Sequence, residues 1–257
     1  MTELIAMTII TGHIQECAPQ SLLIVGGPGT GKTALVERFS KPDDPSFNPT
    51  ARLMGNLSQW GLRGFLQLEA PRGVSHILAP EMQTLFMRRA DTWAAIEGML
   101  LQAMAEGVGD YYNGPVPEAY GKIKIGLVAA MTREAYLGVR NNFRKSGLTS
   151  RFLVVRWMRT PKQTEQALRL AARGKARQLT KVDLRLPPVK VSVRCSETVQ
   201  HRVLDYAKAK FGDEMNRAFA RFVALTRAAA FRRGSRYATL ADWRHVLDAE
   251  RLWLGEV

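Results

Sequence analysis

Residues 26–33 read Gly26-Gly27-Pro28-Gly29-Thr30-Gly31-Lys32-Thr33, a full match to the phosphate-binding pattern GxxxxGK[ST]. This octet constrains the fold because it works only as the turn between a buried strand and a helix. Both flanks are present. The short apolar run Leu22-Leu23-Ile24-Val25 suits a buried parallel strand, and the pattern after it predicts a helix over 32–40. An ordinary glycine-rich turn would need neither the lysine nor the hydroxyl. In a phosphate loop every residue type has its own role. Glycines let successive backbone amides point inward around phosphate oxygens, Lys32 neutralises the β and γ phosphates, and Thr33 ligates magnesium. Gly26, Gly27, Pro28, Gly29, Thr30, Gly31, Lys32 and Thr33 are therefore the expected ATP-binding residues, with magnesium held in part by Thr33.

The rest of the chain alternates in the same manner. Strands are expected over 51–54, 74–79, 122–131 and 152–157, with helices over 57–68, 81–106 and 133–145 between them. Repeated strand–helix–strand order implies a parallel sheet covered by helices on both faces. Beyond Trp157 the pattern changes to a basic helix over 164–176, an extended Pro-containing segment over 182–193, and three helices over 197–211, 216–232 and 240–254. Thr239, followed three residues later by Asp242, comes close to a capping box for the last of them. The expected division is 1–157 for an α/β core, 158–195 for a basic linker and 196–257 for a helical unit.

Charge points to the partner. Lys and Arg number 37 against 23 Asp and Glu, a net +14 over 257 residues, which favours a polyanion and above all nucleic acid. The excess is concentrated: 156–194 holds eleven basic and two acidic residues, a net +9. No apolar run approaches the roughly 20 residues that cross a bilayer. The polar Glu3, Thr8, Thr11 and His13 interrupt the N-terminal apolar stretch, so no secretory signal is read there. With only Cys17 and Cys195, far apart in sequence, neither a disulfide framework nor a thiolate zinc site is suggested, and a cytoplasmic location is expected. The four histidines show no metal-binding spacing.

An ATPase also needs an acidic group at a strand end. Glu81, after the 74–79 strand, supplies one carboxylate where the usual motif has Asp followed by Glu. It is a candidate for the catalytic base or for the magnesium shell; alternatively it only stabilises a helix N-terminus through the dipole.

From these residues onward the chain resembles the AAA+ superfamily of P-loop ATPases, in particular minichromosome-maintenance-like helicase cores and phage or mobile-element AAA ATPases. The resemblance implies three further roles. Thr132, after Gly126-Leu127-Val128-Ala129-Ala130-Met131, matches the polar sensor 1 residue near the γ-phosphate, although Asn is commoner there; the other reading is a helix N-cap. Arg151, in Gly147-Leu148-Thr149-Ser150-Arg151-Phe152, is similar to an arginine finger supplied to the next subunit, with Arg140, Arg144 and Lys145 as competitors. Arg217, or Arg221 one turn later, matches the sensor 2 arginine of a helical lid, which would be residues 196–257. Tyr111, Tyr112, Asn113, Gly114, Tyr120, Lys122 and Lys124 stand where related helicases carry a DNA-contacting β-hairpin; a plain connecting hairpin is the alternative. The resemblance implies a homo-oligomeric ring, with a hexamer expected. It would couple ATP hydrolysis to action on DNA in replication or recombination, as a helicase or a helicase loader with a partner protein. A nucleotide-switched DNA-binding adaptor with weak hydrolysis is the alternative.

Overall fold

The computed structural model describes residues 1–41, 44, 46–55, 57–85, 89–105, 107, 123–172 and 180–249. The expected α/β architecture is present. Five strands, β1 (Ser21–Gly26), β2 (Ala51–Leu53), β3 (His76–Ala79), β4 (Gly126–Thr132) and β5 (Phe152–Trp157), form one sheet in the order β2-β3-β4-β1-β5. All four pairings are parallel. β1 is buried along its whole length, which is why it reads as an unbroken apolar run rather than an alternating one.

Alternate residues of β1 face opposite layers. Leu22 and Ile24 join the apolar cluster of α1 (Thr2–Thr11), α2 (Lys32–Glu37) and the C-terminal helices, whereas Leu23 and Val25 join Phe65, Ile96 and Phe143 on the other face. That second layer contains α3 (Gln59–Gly64), α4 (Ala90–Ala105) and α5 (Arg133–Ser146). Helices thus cover both faces, as the alternation requires.

Several boundaries differ from expectation for local reasons. α3 runs on as a π turn over Phe65–Glu69 and stops at Ala70–Arg72, where Pro71 cannot continue the ladder and Gly73 takes φ 96°. The single helix expected over 81–106 is instead a tight 3₁₀ turn, Met82–Leu85, followed by α4. Polar side chains in that turn bond backbone groups: Thr84 Oγ1 donates to Glu81 O at 2.9 Å, and Gln83 Oε1 accepts the Thr132 N–H at 3.2 Å. α6 (Pro161–Ala172) starts three residues early because Thr160 and Gln163 form a reciprocal capping box behind a proline at the first helical position.

The sequence pattern does not mark α1. Leu4 through Thr11 are all buried, so the segment has no polar stripe to show it as a helix. Its hydroxyls are satisfied internally: Thr8 Oγ1 donates to Leu4 O at 2.8 Å, and Thr11 Oγ1 donates to Thr8 O at 2.6 Å while accepting the Gln20 N–H. α1 lies between the sheet and α8 (Met215–Arg232). The helical unit of α7 (Glu197–Phe211), α8 and α9 (Leu240–Asp248) therefore shares one apolar cluster with the sheet. Its own centre is aromatic, with Tyr206 edge-on to both Phe222 and Trp243 at centroid distances of 5.6 and 5.4 Å. The Asp242 carboxylate accepts from both the N–H and the hydroxyl of Thr239, so α9 opens as its sequence suggests.

The extended segment before α7 is tied down rather than loose. Asn48 donates to Phe39 O and Val182 O and accepts the Leu184 N–H, and Val191 exchanges backbone bonds with His13 and Gln15. It leads into β6 (Arg194–Cys195), paired in parallel with β7 (Tyr237–Ala238). Among the described residues, no helix is long and apolar enough to cross a membrane.

Candidate functional site

The 26–33 loop leaves the C-terminal end of β1, between β4 and β5. In open parallel sheets, ligands bind outside the carboxyl ends of the strands where chain direction in the sheet reverses; after β1 the chain moves to the β4 side and returns past β1 only with β5. Gly26 and Gly31 are both required sterically. A Cβ on Gly26 would overlap Trp157 O, and Gly31, at φ 79°, is left-handed where α2 begins.

Lys32 folds over the loop. Its Nζ donates to Gly26 O at 2.9 Å, Gly27 O at 2.6 Å and Thr30 Oγ1 at 3.4 Å. Burial holds the ammonium below the usual lysine range, with the nearby Glu134 charge acting in the opposite sense. An anion arriving on the loop amides meets this ammonium at once. Thr33 stands in the first turn of α2, half-buried, and its hydroxyl has no hydrogen bond among the described residues; it is available to a metal.

The loop is held from a side that the motif does not reveal. Parallel pairing sets Gly26 beside Trp157, and Trp157 Nε1–H donates to Thr30 O at 3.0 Å. Thr30 Oγ1 in turn donates to Gly27 O. The Arg159 guanidinium lies flush on Gly31, its Nη2 filling the space that a Cβ would take. Between the loop (Gly26, Gly27, Pro28, Gly29, Thr30), the start of α5 and the end of β5 lies a cleft of about 470 Å³, carrying Arg133, Arg156 and Arg159 on its far walls. Sequence reading missed these three arginines and Trp157 as site residues. They come to the loop through strand order, with 127 positions between Thr30 and the indole that holds it.

The other expected site residues fall into two places. Thr132 pairs in register with Gly26, beside the loop, and its Oγ1 accepts the Ala135 N–H at 3.2 Å, so the N-cap role is the one its hydroxyl fills. Glu81 is exposed in the turn after β3 and does not line the cleft. β4 intervenes, so β3 stands about 10 Å from β1.

Arg151, Arg217 and Arg221 gather at the opposite edge of the sheet. Phe152 pairs with Ser21 while Trp157 pairs with Gly26, so the start of β5 is about 17 Å from the loop. Arg151 Nη1 donates to Gly147 O at 2.7 Å. Arg217 donates to Ser150 Oγ, and Arg221 Nη2 to Ser150 O at 2.8 Å. Burial pushes the Arg221 guanidinium down to about 10. The two sensor 2 candidates, Arg217 and Arg221, do not line the cleft beside the loop of their own chain: α8 packs on α1, and this face of α8 meets the 149–151 turn.

Cys17 and Cys195 are both free and partly buried. Among the described residues no group of three or more His, Cys, Asp or Glu side chains could hold a metal. Of the aromatic–lysine segment only Lys124 lies within the described residues, and Arg173, Lys175 and Arg177 of the basic linker lie outside them. No family model matches the chain, and no curated protein matches it.

Proposed function

We propose that this chain is an ATPase of the AAA+ type that works as an oligomer on DNA. One observation carries the nucleotide part: a complete phosphate loop at the carboxyl end of the central strand, with Lys32 poised over its carbonyls and an arginine-walled cleft opening beside it. Three arginines facing a phosphate loop suit a polyphosphate better than a single phosphate. Magnesium fits the donors available, the unpartnered Thr33 hydroxyl and a carboxylate, and when bound it would neutralise charge on the β and γ phosphates.

The second cluster supports assembly. Arg151 and Arg217 stand at the end of the sheet away from their own loop, a placement that suits service to a nucleotide on another chain, while the buried Arg221 anchors α8 on Ser150. A finger supplied in this way would make hydrolysis depend on assembly, as in the hexameric ring that the family resemblance implies. DNA is supported by the charge surplus between Arg156 and Arg194; replication or recombination remains the proposed setting, as helicase or loader.

A second reading, a nucleotide-switched DNA-binding adaptor with weak hydrolysis, is favoured by two placements: Thr132 is engaged as a helix cap and Glu81 stands outside the cleft. ATP turnover with and without single-stranded DNA, measured beside the mass of the assembly, separates the two. The ATPase reading expects turnover that rises with DNA and with assembly. Tight ATP binding with DNA affinity that responds to nucleotide, and no turnover above a Lys32→Ala control, would favour the adaptor.

A further inference from the structure

The sequence offers Glu81 as the acidic residue of the site, yet the one carboxylate among the described residues lining the cleft is Glu134. Strand register explains the difference. β4 is the hydrogen-bonded neighbour of β1, with Thr132 opposite Gly26, so the chain leaving β4 rises directly beside the phosphate loop. Glu134 is two residues beyond Thr132, in the first turn of α5, whose start is fixed by the Thr132 cap. Its charge is felt at Lys32, where, among the described residues, it opposes the effect of burial on the ammonium. Glu81 leaves β3, one strand further out, and points to solvent.

Resting on the ATPase reading above, we propose that Glu134 is the carboxylate that faces the triphosphate and the magnesium–water shell of bound ATP. It supplies at the cleft the acidic group that Glu81, outside it, does not. The electrostatics carry a consequence that a merely structural side chain would not have. Without a divalent cation, the carboxylate and the triphosphate are like charges in one cleft and repel. Magnesium, when bound, would attract both and offset that repulsion. Glu134 therefore makes nucleotide affinity depend on magnesium, whatever the rate of hydrolysis.

The test is a titration of the full-length chain with fluorescent N-methylanthraniloyl ATP, once with magnesium and once with EDTA, reading the ratio of the two affinities. Glu134→Gln keeps the size and removes the charge at an exposed helix position. It should raise the affinity in EDTA and shrink the ratio by about tenfold, the scale of one unit charge within several ångströms of the phosphates. Glu81→Gln should leave the ratio as in the parent, and Glu134→Asp, which keeps the charge, should largely preserve it. An unchanged ratio in Glu134→Gln overturns the assignment, as does a collapse in Glu81→Gln or an equal collapse in Glu134→Asp. If the parent chain binds no nucleotide even with magnesium, the ATPase reading falls as well, which distinguishes the two failures.

Discussion

Replacing Trp157 with Phe tests how the end of β5 acts on the phosphate loop. The substitution keeps a ring beside Gly26 and removes one hydrogen bond, Nε1–H to Thr30 O at 3.0 Å. A neutral bond of this kind contributes about 0.5–1.5 kcal/mol net. The site is half-buried, so the freed carbonyl can reach water and no further desolvation cost applies. If the bond holds the loop in its nucleotide-ready shape, the whole loss appears in binding, and ATP affinity should weaken by about two- to twelvefold. The thermal stability of the nucleotide-free chain should then change little. The assay is a fluorescent-nucleotide titration with a thermal melt of the same sample. An unchanged affinity would refute the latch. A loss of a hundredfold or more would refute it in the other direction, because only direct contact between the indole and the nucleotide could account for that.

Arg151→Ala should leave nucleotide binding nearly intact and lower turnover by about a thousandfold or more; mixing it with Lys32→Ala should restore part of the activity, and a mixture as inert as its parts would rule out a finger shared between chains. His76 is buried in β3, where loss of hydration pushes its imidazole down to about 4 although Gln20 O favours the proton. Because the unfolded chain takes up that proton near pH 6.5, the contribution of neutral His76 is complete above that pH and is lost as pH falls toward 4, amounting to about 3 kcal/mol. An NMR titration should show His76 neutral at pH 5.5, and a midpoint near 6.5 would contradict this. Substituting Arg173, Lys175 and Arg177 by Ala should weaken all DNA sequences alike and lower the log–log salt slope by about 0.7–0.9 per lost phosphate contact. A triple variant with an unchanged salt slope would place the DNA contacts elsewhere.

The central strand, its loop and the strands at 126–132 and 152–157 could be read from sequence because buried parallel strands are unbroken apolar runs between turn residues. α7 and α8 were legible from their periodicity. α1 was not, since a helix buried on every side has no moment, and its threonines, which bond their own backbone, resemble a polar interruption. The start of α6 could have been found from Thr160, Pro161 and Gln163 as a capping box. The site was half legible. A phosphate loop is local, so eight consecutive residues announce it, whereas Trp157, Arg159, Arg133 and Glu134 reach it only because β4 and β5 flank β1. The spacing of Arg217 and Arg221 puts them on one helix face, but the neighbour of that face is set by α8 lying on α1.

Lys32 carries the central claim. Its ammonium rests on Gly26 O and Gly27 O rather than in the apolar core, so Lys32→Ala should remain folded by circular dichroism. Isothermal titration of parent and variant with ATP and magnesium tests the claim directly. The account predicts saturable binding by the parent and a loss of at least about a hundredfold in affinity, or of all measurable turnover, in the variant. Equal affinity and equal turnover in a folded Lys32→Ala protein would contradict it.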